Sequence, residues 1–190
     1  MVCALALVLA MGRSAQAEGR FASVGLGGTA SSQLDTDHPP SIPALLRYAP
    51  EIQLAWGLHL GDALIVTRFD MLGLMLPIGP AGAGFDVGAG WAPGWQRTGW
   101  APLVRGFIGG LILGSGGEMW GPDHSSYGFR TTVEAGAVHR TRVPAGKAAL
   151  GVVVGAQLLG LFDVAPCSPS GDCATALVGM TARFEAHLTF

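Results

Sequence analysis

Charge is what this sequence has least of. Only 13% of its 190 residues are Asp, Glu, Lys or Arg, against roughly a quarter in ordinary soluble domains. Eleven Lys and Arg do not outnumber thirteen Asp and Glu, so no cationic surplus exists to neutralise phosphates, and a basic nucleic-acid binder is excluded. With 49% hydrophobic residues and a mean hydropathy of +0.43, the chain is too apolar for disorder. Long apolar runs are missing too. Beyond the N-terminus nothing approaches the roughly 18 uninterrupted apolar residues of a spanning helix. No Walker loop, dinucleotide fingerprint or HExxH motif is present, so no cofactor is implied. Cysteine is scarce, at three. The apolar residues must therefore be buried in some other way.

The N-terminus reads as a removable address. Met1 to Met11 (MVCALALVLAM) is one apolar run, and Ala15-Gln16-Ala17 spells a small-x-small cleavage site, so residues 1–17 are expected to be a signal peptide and 18–190 the mature domain. One feature departs from the pattern, since no Lys or Arg precedes the run. Cys3 is lost with the signal. Cys167 and Cys173 remain, separated by Ser-Pro-Ser-Gly-Asp, and in an exported protein that spacing reads as a disulfide closing a small loop. Two thiols with no nearby histidine make half a zinc site, so no metal is expected.

What is there in quantity is alternation. From Thr175 to Phe190 the even positions (Ala176, Val178, Met180, Ala182, Phe184, Ala186, Leu188, Phe190) are apolar, while the odd ones include Thr181, Arg183, Glu185 and His187. Successive side chains of a strand point to opposite faces, so this is a two-faced strand. Residues 50–60 repeat it, with Glu51, Gln53 and His59 opposed to Ile52, Leu54 and Trp56. Residues 126–138 do so again, with Arg130, Thr132 and Glu134 opposed to Phe129 and Val133. Segments 19–30, 63–75, 85–91, 101–113 and 148–161 are more glycine-rich or uniformly apolar and make the count eight. Links at 31–48, 76–84, 114–125 and 162–174 alternate with shorter ones at 61–62, 92–100 and 140–147. Alternating segments of about ten residues with this asymmetry of links are the signature of a transmembrane β-barrel. Trp91, Trp95 and Trp100 at one short link, with Trp120 and Tyr127 beside a long one, suit interfacial girdles.

The terminal strand Phe184-x-Ala186-x-Leu188-x-Phe190, the signal and the strand count resemble the small eight-stranded outer-membrane barrels of Gram-negative bacteria, of the OmpA-transmembrane-domain, OmpX and OmpW kind. The resemblance covers the mature chain and is one of architecture. It implies an all-β, eight-stranded antiparallel transmembrane barrel in the bacterial outer membrane, a monomer contacting lipid and lipopolysaccharide. It also implies that Phe184, Ala186, Leu188 and Phe190 resemble the signal read by the barrel-assembly machinery. The competing architecture is a soluble lipocalin-like barrel, polar outside and apolar within.

An eight-stranded barrel is only wide enough for its own side chains. The expected inward charges are Arg68, Arg105, Arg130 and Arg183 against Glu51, Asp70, Asp86, Glu134 and Glu185. So near a balance suits a paired network that fills the lumen, since lone charges in a narrow space are costly; a narrow gated pore or small hydrophobic-solute path is the alternative. The long links carry mostly acids and the short ones Arg97, Arg140, Arg142 and Lys147. Nothing there resembles a dense calcium loop, so the acids read as solvating charge. Ser126 and His124 could form a lipid A deacylase-like nucleophile and base. Glu134 lies eight residues beyond Ser126, about 26 Å along a strand, too far to complete the set. The sequence thus reads as a structural or surface-interaction barrel rather than an enzyme.

Overall fold

A computed structural model describes residues 19–33, 48–72, 82–95, 97–114, 125–144, 146–163 and 174–190. These form β1 (Gly19–Gln33), β2 (Tyr48–Leu60), β3 (Ala63–Leu72), β4 (Gly82–Trp91), β5 (Gly99–Gly114), β6 (Ser125–Val143), β7 (Gly146–Asp163) and β8 (Ala174–Thr189). Every strand pairs antiparallel with its sequence neighbour, and β1 pairs with β8 to close the barrel. The closing seam runs to the last residue. Arg20 N–H donates to Phe190 O at 3.2 Å, and Phe190 N–H returns a bond to Arg20 O at 3.0 Å. Closure leaves no unpaired sheet edge, which is the condition for crossing hydrocarbon with strands.

Alternation sets which way each residue points. Along β8, Thr181, Arg183, Glu185 and His187 are buried, while Met180 and Phe184 are about 70% exposed, at 69% and 71%. The other strands follow the same rule, leaving Leu26, Trp56, Phe85, Ile108 and Val152 on an apolar exterior. Apolar outside and charged inside is the reverse of a soluble lipocalin-like barrel, and the architecture excludes that alternative.

The tight β2–β3 hairpin needs a glycine. Gly61 has φ +65°, and a two-residue hairpin with positive φ at its first central position matches the twist of the flanking strands. Other boundaries differ from the sequence expectation. The described part of β3 reaches Leu72, and β4 is already strand at Gly82 rather than 85. The larger change is in β6 and β7, which run to Val143 and from Gly146. Arg140, Arg142 and Lys147, expected in a link, are therefore strand residues. The polar end of that hairpin hid its alternation; the backbone pairing Arg142 with Lys147 continues it.

Candidate functional site: a layered lumen

The interior is stacked in three layers. At the end bearing the long links, Leu72, Leu111, Leu159, Leu161 and Leu177 form an apolar cluster. At the end bearing the short turns, Phe21, Leu64, Val66, Ala92, Trp95 and Val138 belong to a second. All nine charges assigned inward from the sequence lie between them, each at most 3% exposed.

The charges are brought together by pairing across strands. Asp86 on β4 faces Arg68 on β3 in register, and Arg105 on β5 faces Glu134 on β6. Glu134 is the hub, accepting from Arg68 Nη1, from Arg183 Nη2 and, at 2.7 Å, from Arg105 Nη2. Arg105 also reaches Glu185 Oε1 at 2.5 Å. Arg183 Nη1 donates to Glu51 Oε1 at 3.0 Å, whose other oxygen accepts from Thr29 Oγ1 at 3.0 Å. A second knot centres on Asp86. Its Oδ2 accepts from Arg68 Nε and Arg130 Nη2, both at 2.7 Å, and Arg130 also donates to Asp70. Arg68 joins the two knots, with its guanidinium 4.0 Å from the Phe107 ring centre. Planar, multi-donor guanidinium suits such bridging as ammonium does not.

Room for four arginines comes from inward glycines. A Cβ on Gly84 would lie 2.6 Å from Arg130 Nη2, and one on Gly109 would strike the Asp86 carboxylate. The glycine-rich segments are thus cut to the shape of the network.

The turn-side layer was not foreseen. Trp95, expected in an aromatic girdle, is 4% exposed and folds into the barrel mouth. It stacks on His59 at 4.1 Å and donates from Nε1 to Thr189 Oγ1 at 3.2 Å. Trp91 and Trp100, 51% and 72% exposed, do face outward. Arg140 is buried at 4% and donates from Nη1 to Gly94 O at 2.5 Å, its guanidinium 5.4 Å from the Trp95 ring. Its even parity with Glu134 is the signal that marks it as inward. Likewise Leu111 shares parity with Arg105.

The remaining candidates fall elsewhere. Ser126 sits at the long-link end of β6, opposite Leu113 and Asp163, while His124, Cys167, Cys173 and residues 1–17 lie outside the described residues. Glu134 is committed to three arginines. Phe184, Ala186, Leu188 and Phe190 form the outward row of the closing strand. Among the described residues, no group of three or more His, Cys, Asp or Glu is arranged to hold a metal ion.

One solved structure decides the fold. Neisserial surface protein A superposes with a TM-score of 0.60 over 92% of this chain and 99% of that one, at 11% identity. The chain has the fold of a small outer-membrane β-barrel. Two further barrels match less well. The N-terminal barrel domain of Pseudomonas aeruginosa OprF gives a TM-score of 0.39 at 11% identity, covering 88% of this chain and 99% of that one. Ail, the attachment invasion locus protein of Yersinia pestis, solved with the heparin analogue sucrose octasulfate, gives 0.40 at 13% identity, covering 90% and 99%. No family model and no curated protein matches this barrel's sequence.

Proposed function

We propose that the protein resides in the bacterial outer membrane and has a structural or surface-interaction role, exercised through the long links 31–48 and 162–174. The observation that carries this reading is the filled lumen. Among the described residues a paired ionic layer fills the lumen between a leucine layer and a Trp95-capped mouth, which favours a filled interior over a pore and leaves the loops as the contact surface. Planar-bilayer recording tests it: no steady conductance is expected, and a stable open level would favour the narrow-pore alternative instead. Proteolysis of intact cells should cut the long links first, and loss of that surface accessibility would count against the orientation.

The accompanying assignments belong to the same reading. Residues 1–17 act as the signal peptide, so N-terminal sequencing of the mature protein should begin at Glu18. Cys167 and Cys173 form a disulfide in the fourth long link. The closing-strand row ending in Phe190 engages the barrel-assembly machinery, and lipid and lipopolysaccharide surround a monomer. An enzymatic role is not part of the proposal; equal lipid A deacylation by wild type and Ser126→Ala, or none in either, agrees with that.

A further inference from the structure

Orphaned polar atoms occur in the ionic layer too, at Asp70, Arg105 and Glu185, but at the turn-side mouth a whole imidazole is left without a partner. His59 is 1% exposed, between the Phe21 ring at 5.0 Å and the Trp95 ring at 4.1 Å. Neither of its ring nitrogens has a hydrogen-bond partner, nor does His187 Nδ1 or Arg140 Nε, while His187 Nε2 lies 3.0 Å from Glu185 Oε2. Buried polar groups are nearly always paired, and a cluster of orphans beside water is a state held at some cost. The short β4–β5 turn covers them, and polar clips hold it there. Gly94 N–H donates to Asp62 Oδ1 at 2.7 Å, Arg140 Nη1 donates to Gly94 O at 2.5 Å, and Trp95 Nε1 donates to Thr189. Ala92 N–H is tied separately to the Asp62 carbonyl at 2.7 Å, which anchors the root of the turn to the β2–β3 hairpin. Gly94 itself has φ +60°, a conformation from which glycine moves without the steric limits of other residues.

The geometry points to a displaceable stopper: the Pro93–Trp95 segment swings out of the mouth on its Ala92 root while the barrel stays closed. Closure gains one stacked ring pair and three clips. Opening returns the His59 nitrogens and His187 Nδ1 to water, where each finds a partner. The two states are therefore close in free energy, unlike opening of the ionic layer, which would separate paired charges. Because the ionic and leucine layers stay shut, the open state is a blind vestibule on the short-turn side, lined by two imidazoles. This device is independent of any role of the long links.

Thiol accessibility tests it. Ser23, 8% exposed, lies beside His187 across the β1–β8 seam, outside the clips. In mature protein with Cys167 and Cys173 replaced by Ser, Ser23→Cys should react with a small methanethiosulfonate faster than the barrel unfolds. Unfolding is read on the same samples as loss of heat-modifiable migration. Adding Arg140→Gln should raise the labelling rate at least about tenfold, the effect of losing a charge-assisted hydrogen bond, and Asp62→Asn, on an exposed bond, should raise it a few-fold. A control thiol at Leu177, in the leucine layer, should keep its rate. Should either clip variant fail to fold, Trp95→Phe keeps a stacked ring, loses the indole N–H and should accelerate labelling several-fold. Labelling no faster than unfolding, or the same rate in the folded clip variants, overturns the stopper.

Discussion

The middle of the lumen and its turn-side mouth use the same kinds of residue and treat them in opposite ways. In the middle, four arginines meet five carboxylates, and each guanidinium is shared between strands. At the mouth, Arg140 meets backbone carbonyls and an indole, His59 meets aromatic faces, and His187, beside Trp95, makes the link to the middle through Glu185 at 3.0 Å. Pairing explains the contrast in consequence. A charge buried with its partner is costly to separate, because separation strands both ions in a dry interior. A polar group buried without a partner beside solvent loses little when it is uncovered. One region is a lock and the other a latch.

Breaking the lock should give the largest effect. Glu134→Gln keeps the side chain's size but removes the charge on which Arg68, Arg105 and Arg183 converge. Loss of one partner from a buried ion group typically costs about 3–5 kcal/mol, so the urea midpoint of the detergent-folded barrel should fall sharply. A midpoint within error of wild type would mean that the network fills space and no more. Next comes Gly84→Ala, which preserves every charge but pushes a methyl against Arg130 Nη2. Overpacking of a filled core costs about 1–3 kcal/mol, and the same midpoint measures it. Ala at exposed Gly106, where an added Cβ meets nothing within 4 Å, is the control and should be tolerated.

The lock was legible in the sequence and the latch was not, for reasons visible in particular residues. Arg68, Asp70, Asp86 and Glu134 each stand at one parity within a strand whose other parity carries no acid and is mostly apolar, so period two alone turns them inward. Pairing partners such as Arg105 opposite Glu134 depend on register, which the hydrophobic pattern and hairpin lengths restrict. The leucine layer escaped notice because β7 is apolar on both faces around Leu158 and Leu159, and periodicity is silent where both faces look alike. Trp95 escaped because a tryptophan near a short link has two homes, the lipid interface or the mouth. Only the positions of His59, Thr189 and Arg140, on β2, β8 and β6, choose the second. The loop-borne candidates His124, Cys167 and Cys173 depend on links outside the described residues.

Smaller effects should separate the two regions further. Arg140→Gln removes a charged donor to Gly94 O yet leaves no carboxylate stranded, so the global midpoint should drop by only about 1–2 kcal/mol, well short of the Glu134→Gln loss. Equal losses would place Arg140 in the lock and erase the contrast.

Ionic strength is the gentlest probe, and it acts on only one region. Going from 0.1 M to 1 M salt shortens the screening length from about 10 Å to about 3 Å. The paired carboxylates of the middle are at most 3% exposed, so ions do not reach between them and their contribution to the midpoint should hold. Asp62 stands exposed on the β2–β3 turn, and its bond to Gly94 N–H is charge-assisted in contact with solvent. Exposed interactions of this sort are worth about 0.2–1 kcal/mol and weaken with salt. Added NaCl should therefore raise the Ser23→Cys labelling rate by a few-fold at most while leaving the urea midpoint in place. The Asp62→Asn barrel, with that charge already gone, should lose the salt response of labelling. A midpoint that moves with salt while labelling stays constant would reverse the assignment of lock and latch.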